Sequence, residues 1–458
     1  MQRKIFKTFS LATAILLLLG LGITGREAHA QDPWVIRVNT TEDLRDFAQN
    51  GVCSANHMNE GPCSLRAAIY EAARYTSGKV TIEVPPGVYK LTLTEPSFEG
   101  EPEDHYGDLD FPDLDDGEAT DITIIGTGEW DNPSVIDANF IDRVMQIGQR
   151  QKIRLENLVL KNGLPMSDND CRGGGLNILN ATVTLFHVRL TNNESLETST
   201  STSPSNGGGI FRWNSQLSLL YCELDHNKAL EGSAYTGGFD RGITNIWAST
   251  IHHNTVNLES GSHIIPGTDM LIINSTISDN QGGRYNIETR KDYSLIIKNS
   301  TIISRGELGI VDNKSDKLTL RFNILQVIPT LGVVSGKVCD MPEGYEPSYG
   351  GNFFSDYSCN PKVDEDEDKD VVIQYSDMLL GPLANYGGWT PTVPLLSRQG
   401  QKSPAVNFGS GRCPGLTSDS YLEKDQRDKD RDPWCDSGSF ELQFGEIPTV
   451  VYLPLITK

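Results

Sequence analysis

The sequence of 458 residues is short of positive charge: 39 Lys and Arg stand against 61 Asp and Glu, a formal net charge of −22. Binding nucleic acid by neutralising phosphates needs a basic face, so this composition excludes that class and any attraction to anionic lipid. Amphipathic helices are scarce too. Almost no ten-residue stretch has apolar residues at 3.6-residue spacing, which argues against helical repeats. The eight cysteines include no Cys-x-x-Cys, so zinc held by paired cysteines is not expected. Two calcium signatures are also missing, the twelve-residue acidic loop and the glycine-rich nonapeptide. The longest apolar run, Leu11 to Ile23, is interrupted by Gly20 and Gly22 and falls short of the roughly 20 residues that span a bilayer.

That run follows Arg3, Lys4 and Lys7 and precedes Ala28-His29-Ala30, the order of a cleaved secretory signal over residues 1–30. The expected mature chain starts at Gln31, is secreted, and has no transmembrane span. Export places the cysteines in an oxidising compartment, where pairs close in sequence read as disulfides: Cys53 with Cys63, Cys339 with Cys359, Cys413 with Cys435. Cys171 and Cys222, 51 residues apart with another structural unit between them, are a weaker pair whose state the sequence leaves open.

With 44 Gly and 23 Pro, turn-formers are frequent, and the middle of the chain repeats. Apolar anchors at Leu160, Leu190, Leu224, Ile251, Ile277 and Ile302 recur at steps of 30, 34, 27, 26 and 25 residues, a solenoid period. The periods are filled with β-branched, alternating runs, so the repeats are strands. Five residues before each anchor stand Leu155, Leu185, Leu219, Ile246, Ile272 and Ile297, and two before it Leu158, Val188, Cys222, Ser249, Ser275 and Ser300. All are expected to point inward. Three residues after four of the anchors come Asn193, Asn227, Asn254 and Asn280, which would stack into a ladder at one corner, where asparagine tolerates left-handed φ. The expected fold is all-β, a right-handed parallel β-helix of about eight to ten coils. Helical windows at 43–49 and 64–76 would cap its open first coil against edge-to-edge pairing.

Cys63-Ser64-Leu65-Arg66-Ala67-Ala68-Ile69, Pro85-Pro86-Gly87-Val88-Tyr89 and Gly107-Asp108-Leu109-Asp110 resemble the CSLREA-type module of exported bacterial β-helix proteins, with Ala67 in place of the usual glutamate. The stretches Leu380 to Thr392, Ser403-Pro404-Ala405, Asp425-Gln426-Arg427 and Cys435 to Glu441 resemble the module called choice-of-anchor Q. The resemblance implies a surface-associated repeat protein, mostly of unassigned activity. The implied organisation is a signal at 1–30, an N-terminal cap with first coils at 31–130, repeats at 131–338, last coils with an irregular cap at 339–445, and an apolar tail at 446–458. Trp389, Trp434 and Phe440 are expected to cover the final coil. The tail is too short to span a membrane and reads as a sorting address or an edge strand.

No series of catalytic motifs typical of pectin-processing enzymes occurs in the coils, so no catalytic, cofactor or metal residue is assigned. Asp225, His226, His252, His253 and Asp279 occupy corresponding positions on three successive coils and form a candidate polar column, set against the alternative of a solvated corner. Acidic stretches Asp108 to Asp121 and Asp364 to Asp370 offer hard oxygen ligands for calcium but read first as solvated charge. Trp213, Tyr221 and Trp247 are candidates for stacking on sugars. Three functions follow: a monomeric cell-surface scaffold that binds a glycan or protein, a polysaccharide-active enzyme, or a structural envelope component.

Overall fold

The computed structural model describes residues 33–448, apart from 56–59, 98–104, 166–169, 197–205, 239–241, 333, 365–368, 399 and 416–419. The expected signal at 1–30 and most of the tail, 449–458, lie outside the described residues.

Strand periodicity in the sequence becomes three long parallel sheets. Ten strands, from Trp34–Arg37 to Leu318–Arg321, make the first sheet; eleven, from Gly87–Lys90 to Val371–Val372, the second; nine, from Leu109–Phe111 to Cys339–Asp340, the third. The chain visits the third, first and second sheets in turn, as in Leu176–Leu179, Thr182–Phe186 and Arg189–Thr191, then begins the next coil at Ile210–Trp213. This is a parallel β-helix with three strands per coil, wound in the right-handed sense that connections between parallel strands take. Among the described residues no helix is long and apolar enough to cross a membrane.

The expected anchors stack in one inward column. Leu160 pairs with Leu190, Leu190 with Leu224, Leu224 with Ile251, Ile251 with Ile277, and Ile277 with Ile302. The column runs on through Ile136 and Tyr89 at one end and Leu325 and Phe354 at the other, all buried. A parallel column in the first sheet joins Leu155, Leu185, Leu219, Ile246, Ile272 and Ile297.

Two polar ladders run beside these columns. Asn193 Nδ2 donates to Asn227 Oδ1 at 3.0 Å, Asn227 to Asn254 at 3.0 Å, and Asn254 to Asn280 at 3.1 Å. Each Oδ1 also accepts a backbone N–H from the coil before. The asparagines are buried, and the left-handed φ belongs to the residue ahead of each: Asn192, His226, His253 and Asp279. The ladder therefore exists to satisfy buried backbone rather than to supply a left-handed corner. The second ladder passes a backbone N–H to the next side chain from Cys222 through Ser249, Ser275, Ser300, Asn323 and Asn352 to Asp370.

At the N-terminal end the helix Leu65–Ala72 buries Leu65, Ile69 and Ala72, and Ser64 caps it by accepting from Ala67 N at 3.1 Å. Its faces pack into the same apolar core as Val80, Ile82 and Leu109. Residues 43–49 are not helical, contrary to expectation. Asp43 accepts from Arg66 and from the N–H of Thr92, and Asp46 accepts from the N–H of Ala48 and Ser54. These side chains hold turns that compete with a helix.

The C-terminal region also departs from expectation. Tyr345, Phe354 and Cys359 close the last coil, pinned by Cys339–Cys359. The described residues of 376–445 instead lie along the flank, over the second sheet and, around Cys413, Leu422 and Cys435, against Trp247, Leu271 and Ile273 of the first. There Gln426 Nε2 donates to Thr250 Oγ1 at 2.7 Å, its Oε1 accepts from Thr276 Oγ1 at 2.6 Å, and Ser439 N donates to Thr301 Oγ1 at 3.1 Å. Thr250, Thr276 and Thr301 are successive rungs of one outward row. Phe440 is buried, as expected, but Trp389 and Trp434 are about half exposed, and Trp389 stacks on His187 with centroids 3.8 Å apart. The physical reason is that the last coil is already filled by 339–372, so the later segment finds its buried area on the side.

All three expected disulfides form, and Cys171 and Cys222, both buried, belong to none of them. Burial pushes the Cys222 thiol up to about 12. It should resist alkylation at neutral pH in the native protein and react only on unfolding; labelling at the native rate of an exposed thiol would contradict its place in the core. Asn227→Ala removes the acceptor of two Asn193 donors, and should cost roughly 3 kcal/mol in chemical denaturation. A loss under about 1 kcal/mol would show that the ladder does not carry stability.

Candidate functional site

The anchor row points inward, so its immediate neighbours in the second sheet point outward. Just before the anchors this outward row reads Arg189, Glu223, Thr250, and just after them Thr191, Asp225, His252, Ser278. Docking of the C-terminal segment consumes Thr250, Thr276 and Thr301 and leaves Arg189, Glu223, Asp225 and His252 grouped beyond its edge. At the adjoining corner, His226, His253 and Asp279 stack with φ of 54°, 52° and 57°.

The expected polar column is thus brought together, though it is more than a solvated corner. Asp225 is fully buried, and Glu223 and His252 nearly so, while His226 and His253 are exposed. Arg189 grips both oxygens of Asp225, at 2.7 and 2.8 Å, and Thr191 and His226 Nδ1 also reach the carboxylate, at 2.8 and 2.7 Å. His252 Nε2 stands 3.0 Å from Glu223 Oε1, and its Nδ1 2.7 Å from His253 Nδ1. His226 and His253 stack with centroids 5.3 Å apart. Asp279 turns away to Arg305 and Ser278. Arg189, Thr191 and Glu223 were missed in the sequence; the available signal was their register, one residue either side of an anchor.

Burial alone would raise the Asp225 carboxyl, but the Arg189 and His226 hydrogen bonds outweigh it and hold the group well below the usual range. His226 is raised, chiefly by its bond to Asp225. His253 is lowered, by burial first and then by the charge of His252. Arg189 thus holds Asp225 in place beside Glu223 and the imidazoles of His226 and His252.

The other candidates divide. Trp247 is half-buried against Cys413–Cys435 and Leu422, and Tyr221 packs edge-on to Phe186, so neither is presented for stacking. Trp213 is 42% exposed and borders a hollow of about 200 Å³ on the third sheet with Arg172, Phe211, Thr236 and Arg290. Its ring lies on Gly238, where a Cβ would approach within 2.3 Å. The guanidinium of Arg172 lies 4.6 Å from the centroid of Phe211. In the acidic stretches, Asp113, Asp115, Asp116 and Asp364 are exposed, as solvated charge would be. Asp108 is buried instead, 3.4 Å from Arg143, and burial with the neighbouring Asp142 pushes it up to about 7. Asp370 terminates the second ladder.

The two exposed histidines give opposite pH signatures. The raised His226 contributes stability that is full below the ordinary imidazole value and is lost as pH rises through its folded value. The lowered His253 subtracts stability as pH falls below that ordinary value. An NMR titration should place His226 above and His253 below an unperturbed imidazole, and Asp225→Asn should bring His226 back down. An unchanged His226 in that variant would show that Asp225 is not its partner.

Comparison with models of known protein families gives no match, and comparison with curated proteins gives no significant match.

Proposed function

We propose that the chain is an exported, cell-surface β-helix of the CSLREA and choice-of-anchor Q kind whose role is to bind a surface glycan. The observation that carries this reading is the Trp213 hollow. An exposed indole held flat against Gly238, with guanidinium groups and a threonine beside it, matches what a sugar ring needs: an apolar platform for its C–H face and donors for its hydroxyls or carboxylate. Three disulfides support the exported setting. So does the convergence of the choice-of-anchor Q stretches on one docking row, since Thr392, Gln426 and Ser439 all belong to them and all bond there.

A polysaccharide-active enzyme is the second reading, favoured by Glu223 beside His252 on an outward sheet face. It would use Glu223 and His252 as the acid–base pair, because both Asp225 oxygens are engaged.

A glycan array probed with residues 31–458 tests the first reading. Binding to one glycan class, weakened about tenfold or more by Trp213→Ala with melting temperature unchanged, is the expected result. An array without binding, or binding indifferent to Trp213→Ala, would overturn it. Polysaccharide cleavage abolished by Glu223→Gln would favour the enzyme instead.

A further inference from the structure

The Glu223, Asp225 and His252 cluster lies on the second sheet, away from the Trp213 hollow, and glycan binding leaves it without a role. One ligand atom from each of the three residues lies within 4.8 Å of the other two. Arg189 Nε lies 2.7 Å from Asp225 Oδ1 and 3.6 Å from Glu223 Oε1, so its 41% exposed side chain would draw back toward solvent as the donors close to the roughly 2.0–2.2 Å at which carboxylate oxygen and imidazole nitrogen hold zinc. The three backbones are fixed by adjacent rungs, since Asp225 pairs directly with His252 and Glu223 with Thr250, so the donor set is preorganised by the coil spacing.

The side-chain contacts point the same way. His252 faces Glu223 Oε1 with one ring nitrogen and His253 Nδ1 with the other, and the contact with His253 stands where the outer hydrogen bond that orients a metal-ligating histidine would be. Arg189 neutralises Asp225, which leaves the site far less anionic than the all-oxygen shells that calcium and magnesium prefer. A nitrogen-containing donor set of this charge suits a borderline divalent transition metal.

We propose that Glu223, His252 and Asp225 form a binding site for one divalent transition metal of the zinc class, with His253 orienting His252. The edges of Glu223 and His252 retain slight exposure, and the exposed His226 and His253 stand at the rim, so an ion can enter from solvent.

Residues 31–458, stripped with a chelator and dialysed against Zn²⁺, should retain about one equivalent by metal analysis and retain no Ca²⁺ at this site. Glu223→Gln and His252→Gln should each weaken Zn²⁺ binding by about tenfold or more, with Asp279→Asn unaffected and circular dichroism unchanged. Failure of the parent chain to retain Zn²⁺, or retention indifferent to both substitutions, would overturn the proposal. If either variant fails to fold, the parent chain still decides. Its His252 resonances should move on adding Zn²⁺ while the fully buried His263 stays put, and unmoved His252 resonances would refute the site. A glycan array result has no bearing on this outcome.

Discussion

Parallel coils stacked about 4.8 Å apart impose one rule on every residue: a side chain meets the side chain at the same position of the next coil. Like must therefore tolerate like. Apolar columns satisfy the rule without direction, which is why Leu, Ile and Phe interchange along the anchor column from Tyr89 to Phe354. Polar columns satisfy it only when each member both donates and accepts. Asparagine does so through its amide, and serine does so by accepting a neighbouring N–H while donating back to a carbonyl, as Ser249 and Ser275 do toward Trp247 and Ile273. The change from serine to asparagine at Asn323 keeps the second ladder unbroken. Charged columns stack like on like where a counter-ion joins them, as Lys314 does for Glu288 and Asp312 in the third sheet. In the outward rows of the second sheet the charges alternate instead: Arg189 stands next to Glu223, and Asp225 next to His252.

That alternation links architecture to chemistry. The fold supplies rigid rungs on which groups of opposite sign are brought into contact, and the C-terminal segment decides which remain accessible. Its docking onto the threonine row uses hydroxyls in both roles, with Gln426 bridging two rungs at once. Within the segment, Arg427 is buried between Asp425 and the ring of Phe440, whose centroid is 3.5 Å away, and Arg431 pairs with Glu441. Such buried pairs satisfy one another at close range and fix the segment's shape more than they add net stability.

The inward columns were legible in the sequence because their period is enforced by stacking and nothing else in the chain imitates it. The three disulfides were legible from spacing in the same way. The asparagine column was seen for a reason that the geometry replaces: His226 and His253 take the left-handed turn, and the asparagines behind them bond across coils. Glu223 and Arg189 were not seen, because an outward residue carries no periodic signature until the register is known. The placement of 376–445 had no local signal either. Its bonds join residues such as Gln426 and Ser249, 177 positions apart, and only the filled end coil explains why the flank was the surface left to cover. Residues 43–49 misled because their apolar spacing is helical while Asp43 and Asp46 spend their carboxylates on turns.

The flank docking also gives the chain a direction in time. Synthesis delivers the coils before the segment that covers them, so Thr250, Thr276 and Thr301, together with Phe322 and the half-buried Trp247, face water until Ser439 has been made. A chain whose synthesis stops late is left as a solenoid with a sticky side rather than a random coil. The last disulfide, Cys413–Cys435, lies within that cover, so a chain that ends short of Cys435 lacks both the bridge and the segment that hides the side.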